Sequence, residues 1–280
     1  MADYANASAL VETEWLEQQG DSPDLAILEV DEDTTAYEKG HIPNAISIDW
    51  ENDLHDLPRR EFVTSEQLAK LLGEKGVSSN QTIVLYSGNN NWFAAYAYWL
   101  FKYRGVDNVK LLNGGRKKWE LESRLLTQDE PNRPATTFEI GPEKPEYRVL
   151  RDEVIQRVSS GPGAWVDVRS PEEFRGELLA PPHLPQEQAQ VPGHIPGASN
   201  ITWSKTVNED GTFKSADELR DLYAAEGITA DKDVVTYCRI GERSSHSWFV
   251  LKELLGFENV RNYDGSWTEY GSLVGVPVET

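Results

Sequence analysis

The chain has 280 residues, of which 47 are acidic and 27 are basic, and its formal net charge is −20 at pH 7. Because such an excess of negative charge repels nucleic-acid phosphates and anionic lipids, it argues against a nucleic-acid-binding protein and a membrane-surface protein. The same composition suits a cytoplasm of high salt concentration, where ions screen the repulsion between carboxylates. We therefore expect either the protein of a halophile or an ordinary acidic enzyme.

The first half of the chain alternates apolar runs with helical segments. Strands are predicted at residues 25–30, 82–86 and 108–112, and helices at residues 65–72 and 92–101. Thr64 or Ser65 is the expected N-cap of the first of these helices. The run at 92–101 is the longest apolar stretch, yet it is too short to span a bilayer and predicts a buried helix. The N-terminal residues 1–15 lack the pattern of a signal peptide, so we expect a cytoplasmic protein.

The second half of the chain repeats this layout after a proline-rich stretch. Residues 127–147 contain four prolines and little periodicity, which indicates a packed linker. Strands are predicted at residues 164–168, 233–238 and 259–263, and helices at residues 215–226, with Ser215 as N-cap, and 244–255. Residues 176–193 are rich in Pro and Gln and predict a surface loop.

Three sequence blocks occur twice in the same order, which indicates a duplicated domain. In single letters the pairs are HIPNAISI and HIPGASNI, TIVLYS and DVVTYC, and NGGRKKW and DGSWTEY. Ser87 and Cys238 are 151 positions apart, as are Asn113 and Asp264. A period of this size predicts two copies of one domain rather than a solenoid. We place a first domain at residues 1–130, a linker at 131–147 and a second domain at 148–280.

Alternating strands and helices predict an α/β fold in which each domain is a parallel sheet flanked by helices on both faces. Sites in open α/β sheets form beyond the carboxyl ends of the strands. Cys238 and Ser87 occupy that position in their own copies. Cys238 is also the only cysteine, which excludes an intramolecular disulfide and a multi-cysteine metal site.

The loop that begins at Cys238 has the composition of an anion-binding nest. Its sequence, CRIGER, lies between a predicted strand and a predicted helix. Backbone N–H groups at Ile240, Gly241 and Glu242 would point inward, and the start of the helix would add positive potential. Arg239 and Arg243 add fixed positive charge, so we expect Cys238 to be a thiolate nucleophile.

The alternative interpretation of Cys238 is a small buried hydrophobic residue, which is the usual role of a lone cysteine. A core cysteine does not require two arginines and a glycine turn beside it. The matching loop of the first copy reads SGNNNW from Ser87, without a thiol or an arginine. The reactive apparatus is therefore expected in the second copy alone.

At these residues the chain resembles the rhodanese family, in its tandem-domain thiosulfate sulfurtransferase form. Four segments carry the resemblance: CRIGERS from Cys238, GHIPGA from Gly193, YDGSW from Tyr263 and VDVRSPEEF from Val166. The resemblance implies that Cys238 takes the sulfane sulfur of thiosulfate, releases sulfite and carries a persulfide. Cyanide or a cellular thiol would then accept the sulfur, with no metal and no organic cofactor. The partners would be this small anionic donor and a thiophilic acceptor; the oligomeric state stays open.

By the same resemblance, Arg169 occupies a substrate-binding position, together with the loop cations Arg239 and Arg243. Its alternative role is a surface salt bridge. Ile240 stands where the animal thiosulfate enzymes have a lysine, which makes a donor contact at that position doubtful, and Arg243 would compensate. Relatives specific for 3-mercaptopyruvate carry small uncharged residues after the cysteine, so Arg239 argues against that substrate.

Two other classes of function remain open at this point. Cysteine phosphatases need an arginine six residues after the cysteine, where this chain has Ser244. The loop of a cysteine phosphatase is longer than the CRIGER loop of this chain, so phosphate would lack room in the CRIGER loop. A sulfur carrier or interaction module is the third alternative, because rhodanese-like domains also serve in partner binding.

Overall fold

The computed structural model describes residues 3–56, 59–161, 163–181 and 188–280. The chain divides into two compact units. The N-terminal unit comprises Ser8–Lys144 and Val207–Phe213. The C-terminal unit comprises Pro145–Thr206 and Lys214–Thr280, together with the N-terminal residues up to Ala7. Each unit thus contains a short segment from the other half of the sequence, which the sequence patterns do not indicate.

The N-terminal unit is built on a parallel sheet of five strands. Its strands, with a separate antiparallel pair formed by β4 and β5, are β1 (Leu10–Val11), β2 (Leu25–Glu29), β3 (Ala45–Ser47), β4 (His55–Asp56), β5 (Glu61–Phe62), β6 (Thr82–Tyr86) and β7 (Val109–Leu112). The order in the sheet is β1-β7-β6-β2-β3. Its helices are α1 (Thr13–Gln19), α2 (Ala36–Lys39), α3 (Trp50–Asp53), α4 (Ser65–Glu74), α5 (Trp92–Arg104) and α6 (Gly115–Leu121).

The C-terminal unit is built on a parallel sheet of four strands. Its strands are β8 (Ala164–Asp167), β9 (Ser199–Asn200), β10 (Val234–Tyr237) and β11 (Val260–Asn262), in the order β11-β10-β8-β9. Its helices are α7 (Arg151–Ser160), α8 (Pro171–Phe174), α9 (Ala216–Ala224), α10 (Glu242–Phe249) with a π-helical continuation over Val250–Leu254, and α11 (Ser266–Tyr270). The prediction of two α/β domains with parallel sheets is confirmed.

Local sequence explains where the helices start. Thr64 and Ser215 each form a capping box, in which the side chain accepts from the backbone of the third helical residue and that residue's side chain bonds back. Both predicted N-caps are therefore confirmed. The apolar run in α5 is buried from Trp92 to Phe101, as predicted. Among the described residues, no helix is long and apolar enough to cross a membrane.

The helix after Cys238 differs from its prediction in two ways. It begins at Glu242 rather than Ser244, because Gly241 adopts a left-handed φ of 105° and ends the loop there. Every residue from Glu242 to Phe249 is buried, including the serines. α10 is therefore an internal helix and not a surface helix with one apolar face.

Two stretches, predicted as a packed linker and a surface loop, pack as follows. The proline-rich stretch contacts the N-terminal unit through backbone bonds such as Thr136 N to Gly73 O (2.8 Å). Within the insertion at 176–193, residues 182–187 lie outside the described residues. Of the described part, Ala180 and Ala189 are buried, and Ala189 belongs to the core cluster of the C-terminal unit. Most of the other described residues of the insertion are exposed or half-buried, so its described part is a surface loop as predicted, with Ala180 and Ala189 packed into the interior.

Candidate active site

Cys238 lies at the carboxyl end of β10, in the loop that leads to α10. The residue is fully buried, with a relative exposure of 0 %. This position is the one expected for a site in a parallel sheet. The burial agrees with the alternative interpretation of a core cysteine, so the neighbours of the sulfur decide between the two.

The Cys238 sulfur is surrounded by polar groups. The backbone N–H of Gly241 donates to Sγ at 3.1 Å. The hydroxyls of Ser244 and Ser266 lie 3.7 and 4.0 Å from Sγ. The thiol in turn donates to Glu242 Oε2 at 3.7 Å. A cysteine that merely fills core volume has no need of such neighbours, so the geometry favours a reactive sulfur.

Gly241 is required by the shape of this loop. At its φ of 105°, an added Cβ would lie 2.8 Å from the Cα of Asp264. An L residue would therefore be strained and would collide with the backbone. Because the Gly241 N–H reaches Sγ, the same glycine fixes the hydrogen bond to the sulfur.

A network of hydrogen bonds involving Asn262 and Ser266 supports the loop. Asn262, at the end of β11, donates to Gly241 O at 3.2 Å and to Ser245 Oγ at 2.9 Å, and it accepts from Ser244 Oγ at 2.6 Å. Ser266 accepts the Cys238 N–H at 3.0 Å. Ser266 itself adopts a left-handed φ of 52°, a strained state typical of functional positions. None of these supporting residues was predicted, because their contacts arise only from the fold.

Arg243 lies in the first turn of α10 and is already paired with a carboxylate. Its guanidinium donates to both oxygens of Glu173 at 2.8 and 3.0 Å, and both side chains are buried. Burial by itself raises the pKa of Glu173, but the bidentate Arg243 outweighs it and holds that pKa below its usual range. Glu173 was not predicted as a site residue; the Ser170–Glu173 capping box indicates a helix start, and the contact with Arg243 arises only from the fold.

Arg169 is paired in the same way, with Asp167 at the end of β8. Its Nη2 donates to Asp167 Oδ2 at 2.6 Å and to Gly193 O at 2.7 Å. The guanidinium lies 4.9 Å from the Trp267 ring centroid, in cation–π contact. Arg169 is therefore anchored in the interior, and a contact with an anionic donor stays a prediction.

The remaining predicted loop residues are placed as follows. Arg239 is buried at 1 % exposure, and its carbonyl accepts the Thr268 N–H at 3.0 Å. Ile240 is half-buried. Cys238, Gly241 and Glu242 are brought into mutual contact, and Arg243 interacts electrostatically with Cys238. Arg169 and Arg243, which are predicted to bind the anionic donor, are compensated by the buried carboxylates of Asp167 and Glu173.

The matching loop of the N-terminal unit is closed by its own side chains. Asn91 Oδ1 accepts the Ser87 N–H at 2.9 Å, and Asn91 donates to Leu112 O. The Gly88 N–H donates to Asp31. Three consecutive asparagines adopt positive φ, at 43°, 57° and 64°. Asn91 aligns with Glu242 at the period of the duplication. Asn91 closes the loop of the N-terminal unit by its hydrogen bonds, whereas Glu242 faces the Cys238 thiol in the C-terminal unit.

A buried acid, tyrosine and arginine occur together in both units. In the N-terminal unit, Glu29 accepts from Arg116 at 2.6 Å and from Tyr86. In the C-terminal unit, Asp167 pairs with Arg169 beside Tyr237. Both tyrosine hydroxyls accept a backbone N–H from the HIP block at 3.1 Å. Because the unit without a thiol has the same cluster, the cluster supports the fold in both.

Among the described residues, no group of three or more His, Cys, Asp or Glu side chains could hold a metal ion.

The Rhodanese-like domain model matches the chain twice, at residues 12–122 and 150–273. The chain belongs to the rhodanese family. The resemblance inferred from four short segments is confirmed, and the two matches correspond to the two copies of the duplication.

Curated relatives of this rhodanese chain are similar along nearly all of it. A putative thiosulfate sulfurtransferase of Saccharopolyspora erythraea is 60% identical over 96% of this chain and 95% of its own length. The sulfur carrier protein TtuD of Thermus thermophilus is 54% identical over 98% of both. A putative thiosulfate sulfurtransferase of Haloferax volcanii is 54% identical over 99% of this chain and 98% of its own.

Solved structures show the same fold. The anaerobic ergothioneine biosynthesis enzyme of Chlorobium limicola aligns with a TM-score of 0.86 and 27% identity, covering 100% of this chain and 72% of its own. A structure of EanB that contains a cysteine persulfide and ergothioneine aligns with the same TM-score. A cysteine persulfide therefore occurs in a protein that is similar in fold to this chain.

Proposed function

We propose that this rhodanese is a thiosulfate sulfurtransferase that carries sulfur as a persulfide on Cys238. The observation that carries the proposal is the 3.1 Å hydrogen bond from Gly241 N–H to the sulfur, within a polar and buried loop. A backbone donor aimed at sulfur stabilises negative charge there, both on the thiolate and on the sulfur atoms of a persulfide. The names of the relatives support the same reaction class.

The transfer has two steps. The Cys238 thiolate attacks the outer sulfur of thiosulfate; the new S–S bond forms as the old one breaks, and sulfite leaves with the electron pair. A thiophilic acceptor such as cyanide or a cellular thiol then attacks the outer sulfur, and the thiolate is restored. Because the protein acts as nucleophile and leaving group in turn, no redox cofactor takes part.

The roles of the arginines follow from their pairing. Arg243 and Arg169 hold the loop and the strand end in place through Glu173 and Asp167, whose carboxylates neutralise the two guanidinium charges. Arg239, Ile240 and the loop backbone complete the surroundings of the sulfur. In a chain whose net charge is −20, the anionic donor would be attracted by the Gly241 N–H and the N-terminal end of α10.

A sulfur-carrier role is the second candidate. The observation that favours it is the 54% identity over nearly full length to the sulfur carrier protein TtuD. The two functions share the Cys238 persulfide and differ in the acceptor, which would be a protein for a carrier. Turnover with a small acceptor therefore distinguishes them.

The test is thiocyanate formation from thiosulfate and cyanide by the purified protein. We expect turnover by the wild type and none by Cys238→Ser, because the serine hydroxyl is a poor nucleophile toward sulfur. A Cys238→Ser variant that retained activity would contradict the mechanism. Persulfide formation without cyanide turnover would favour the carrier role. Faster turnover of 3-mercaptopyruvate than of thiosulfate would identify 3-mercaptopyruvate as the donor.

We further propose a cytoplasmic protein adapted to high salt concentration. The support is the net charge of −20 together with the close relative in Haloferax volcanii. Carboxylates at such density repel one another in dilute buffer, and dissolved ions reduce that repulsion.

A further inference from the structure

The Glu242 carboxylate is a buried acid that the two-step transfer leaves unused. Glu242 is the first residue of α10 and is 3 % exposed. Within the described chain, the Cys238 thiol is the one side-chain group that hydrogen-bonds to this carboxylate, at 3.7 Å from Sγ to Oε2. A buried carboxylate normally requires an ion pair or several hydrogen bonds, so this placement is costly and needs a reason.

The charged groups around Glu242 lie on every element that encloses the loop. Arg239 and Arg243 flank it in sequence, and Arg243 is committed to Glu173 of α8. Asp264, after β11, lies against Gly241 and is paired with Arg148. The acid therefore lies near Arg243, which interacts with it electrostatically but donates its hydrogen bonds to Glu173, while the hydrogen bond of Glu242 itself goes to the nucleophile.

We propose that Glu242 is the catalytic acid–base partner of Cys238, an inference that rests on the proposed sulfur transfer. In the first step the proton moves from Sγ to Oε2, and the thiolate attacks the outer sulfur of thiosulfate. Sulfite leaves with the electron pair of the broken S–S bond, and the proton stays on Glu242. When the acceptor removes the outer sulfur, the electron pair of the Sγ–S bond remains on Sγ, and Glu242 returns the proton.

This cycle keeps the charge of the loop constant. The pair holds one negative charge before the attack, as carboxylate and thiol, and one at the moment of attack, as acid and thiolate. An ionised carboxylate beside a thiolate would instead repel both the sulfur and the incoming anion. The N-terminal unit fits this reasoning, because Asn91 replaces the acid where Ser87 replaces the thiol.

The test measures sulfite release in a single turnover with thiosulfate at pH values between about 6 and 8. The wild type should be nearly independent of pH, since the proton is transferred within the pair. Glu242→Gln should be about 100-fold slower near neutral pH and should accelerate roughly tenfold per pH unit, because its thiol must ionise to solvent. Glu242→Asp should restore the flat profile, and the exposed Glu258→Gln should match the wild type.

A Glu242→Gln profile parallel to that of the wild type, at any absolute rate, would overturn the inference, because a structural role lowers the rate equally at every pH. If the wild type releases no sulfite, the proposed function fails, and alkylation of Cys238 by iodoacetamide replaces sulfite release as the readout. Cys238 is the only cysteine, so alkylation reports on it alone. The same difference in pH profile between wild type and Glu242→Gln is expected there, and its absence would overturn the role of Glu242 independently.

Discussion

At the residue scale, the site depends on one backbone geometry. Gly241 ends the loop, starts α10 and directs its N–H at the Cys238 sulfur. Its left-handed φ and its contact with Asp264 both exclude a side chain. A change at this glycine therefore affects stability and sulfur chemistry together, which makes it a sharp test of the geometry.

We predict that Gly241→Ala loses about 1–3 kcal/mol of unfolding free energy. The strained φ and the collision with the backbone both destabilise the folded state of the variant. Sulfur transfer should fall strongly, since the N–H moves away from Sγ. Denaturant unfolding and single-turnover sulfite release measure the two effects. Gly227→Ala is the matched control: Gly227 has a similar φ of 72° with nothing within 4 Å of an added Cβ. Equal behaviour of the two variants would contradict the assigned role of Gly241.

At the element scale, a buried ion pair joins α8 to α10. Glu173 is the third helical residue of the capping box that begins at Ser170. Its carboxylate also accepts hydrogen bonds from both terminal nitrogens of Arg243. The pair fixes the helix whose first turn contains Glu242 and supports the loop of Cys238. Removing one partner of a buried pair leaves the other charge uncompensated, which is strongly destabilising.

We predict that Glu173→Gln loses about 3 kcal/mol of unfolding free energy at neutral pH. Because the pKa of Glu173 is lowered in the folded state, its contribution is present above its usual pKa of 4.5 and is lost as the pH falls through the folded value. The difference in unfolding free energy between the wild type and Glu173→Gln should therefore become smaller at acidic pH. Urea unfolding at neutral pH and at pH 4 measures it. Glu177→Gln, which breaks an exposed pair with Arg175, should change little at either pH, and a Glu173 variant that behaved the same way would refute the account.

Elements that depend on local sequence could be predicted, whereas contacts made by the fold could not. The capping residues Thr64 and Ser215 and the buried run in α5 follow from spacing and composition. The position of Cys238 between a strand and a helix could also be predicted from the sequence pattern. The partners of Arg169 and Arg243 could not, because Asp167 and Glu173 reach them only once the sheet has formed. The early start of α10 likewise depends on the conformation of Gly241.

At the scale of the whole molecule, two copies of one fold differ at the matching loop. The N-terminal loop is filled by Asn91 and Asp31, whereas the C-terminal loop surrounds a sulfur. The chain as a whole carries a net charge of −20, which opposes an anionic substrate and destabilises the compact state by self-repulsion. The backbone N–H of Gly241 and the N-terminal end of α10 would offset the first effect locally, and dissolved salt would reduce the second.

We predict that the melting temperature rises as KCl increases from about 0.1 M to about 1 M, over which the Debye length falls from about 10 Å to about 3 Å. The cause is screening of repulsion between surface carboxylates. Differential scanning calorimetry measures the change. Near the isoelectric point of about 4.6 the same salt increase should have less effect, since less net charge remains. Full stability in dilute buffer at neutral pH, with no gain from salt, would contradict the proposed adaptation.

The central claim is that Cys238 carries the transferred sulfur, and intact-protein mass spectrometry tests it most directly. After treatment with thiosulfate, the wild type should gain the mass of one sulfur atom, and cyanide should remove it again. Cys238→Ser should gain nothing under the same conditions. A wild type that stays unmodified, or a Cys238→Ser variant that gains the same mass, would contradict the account.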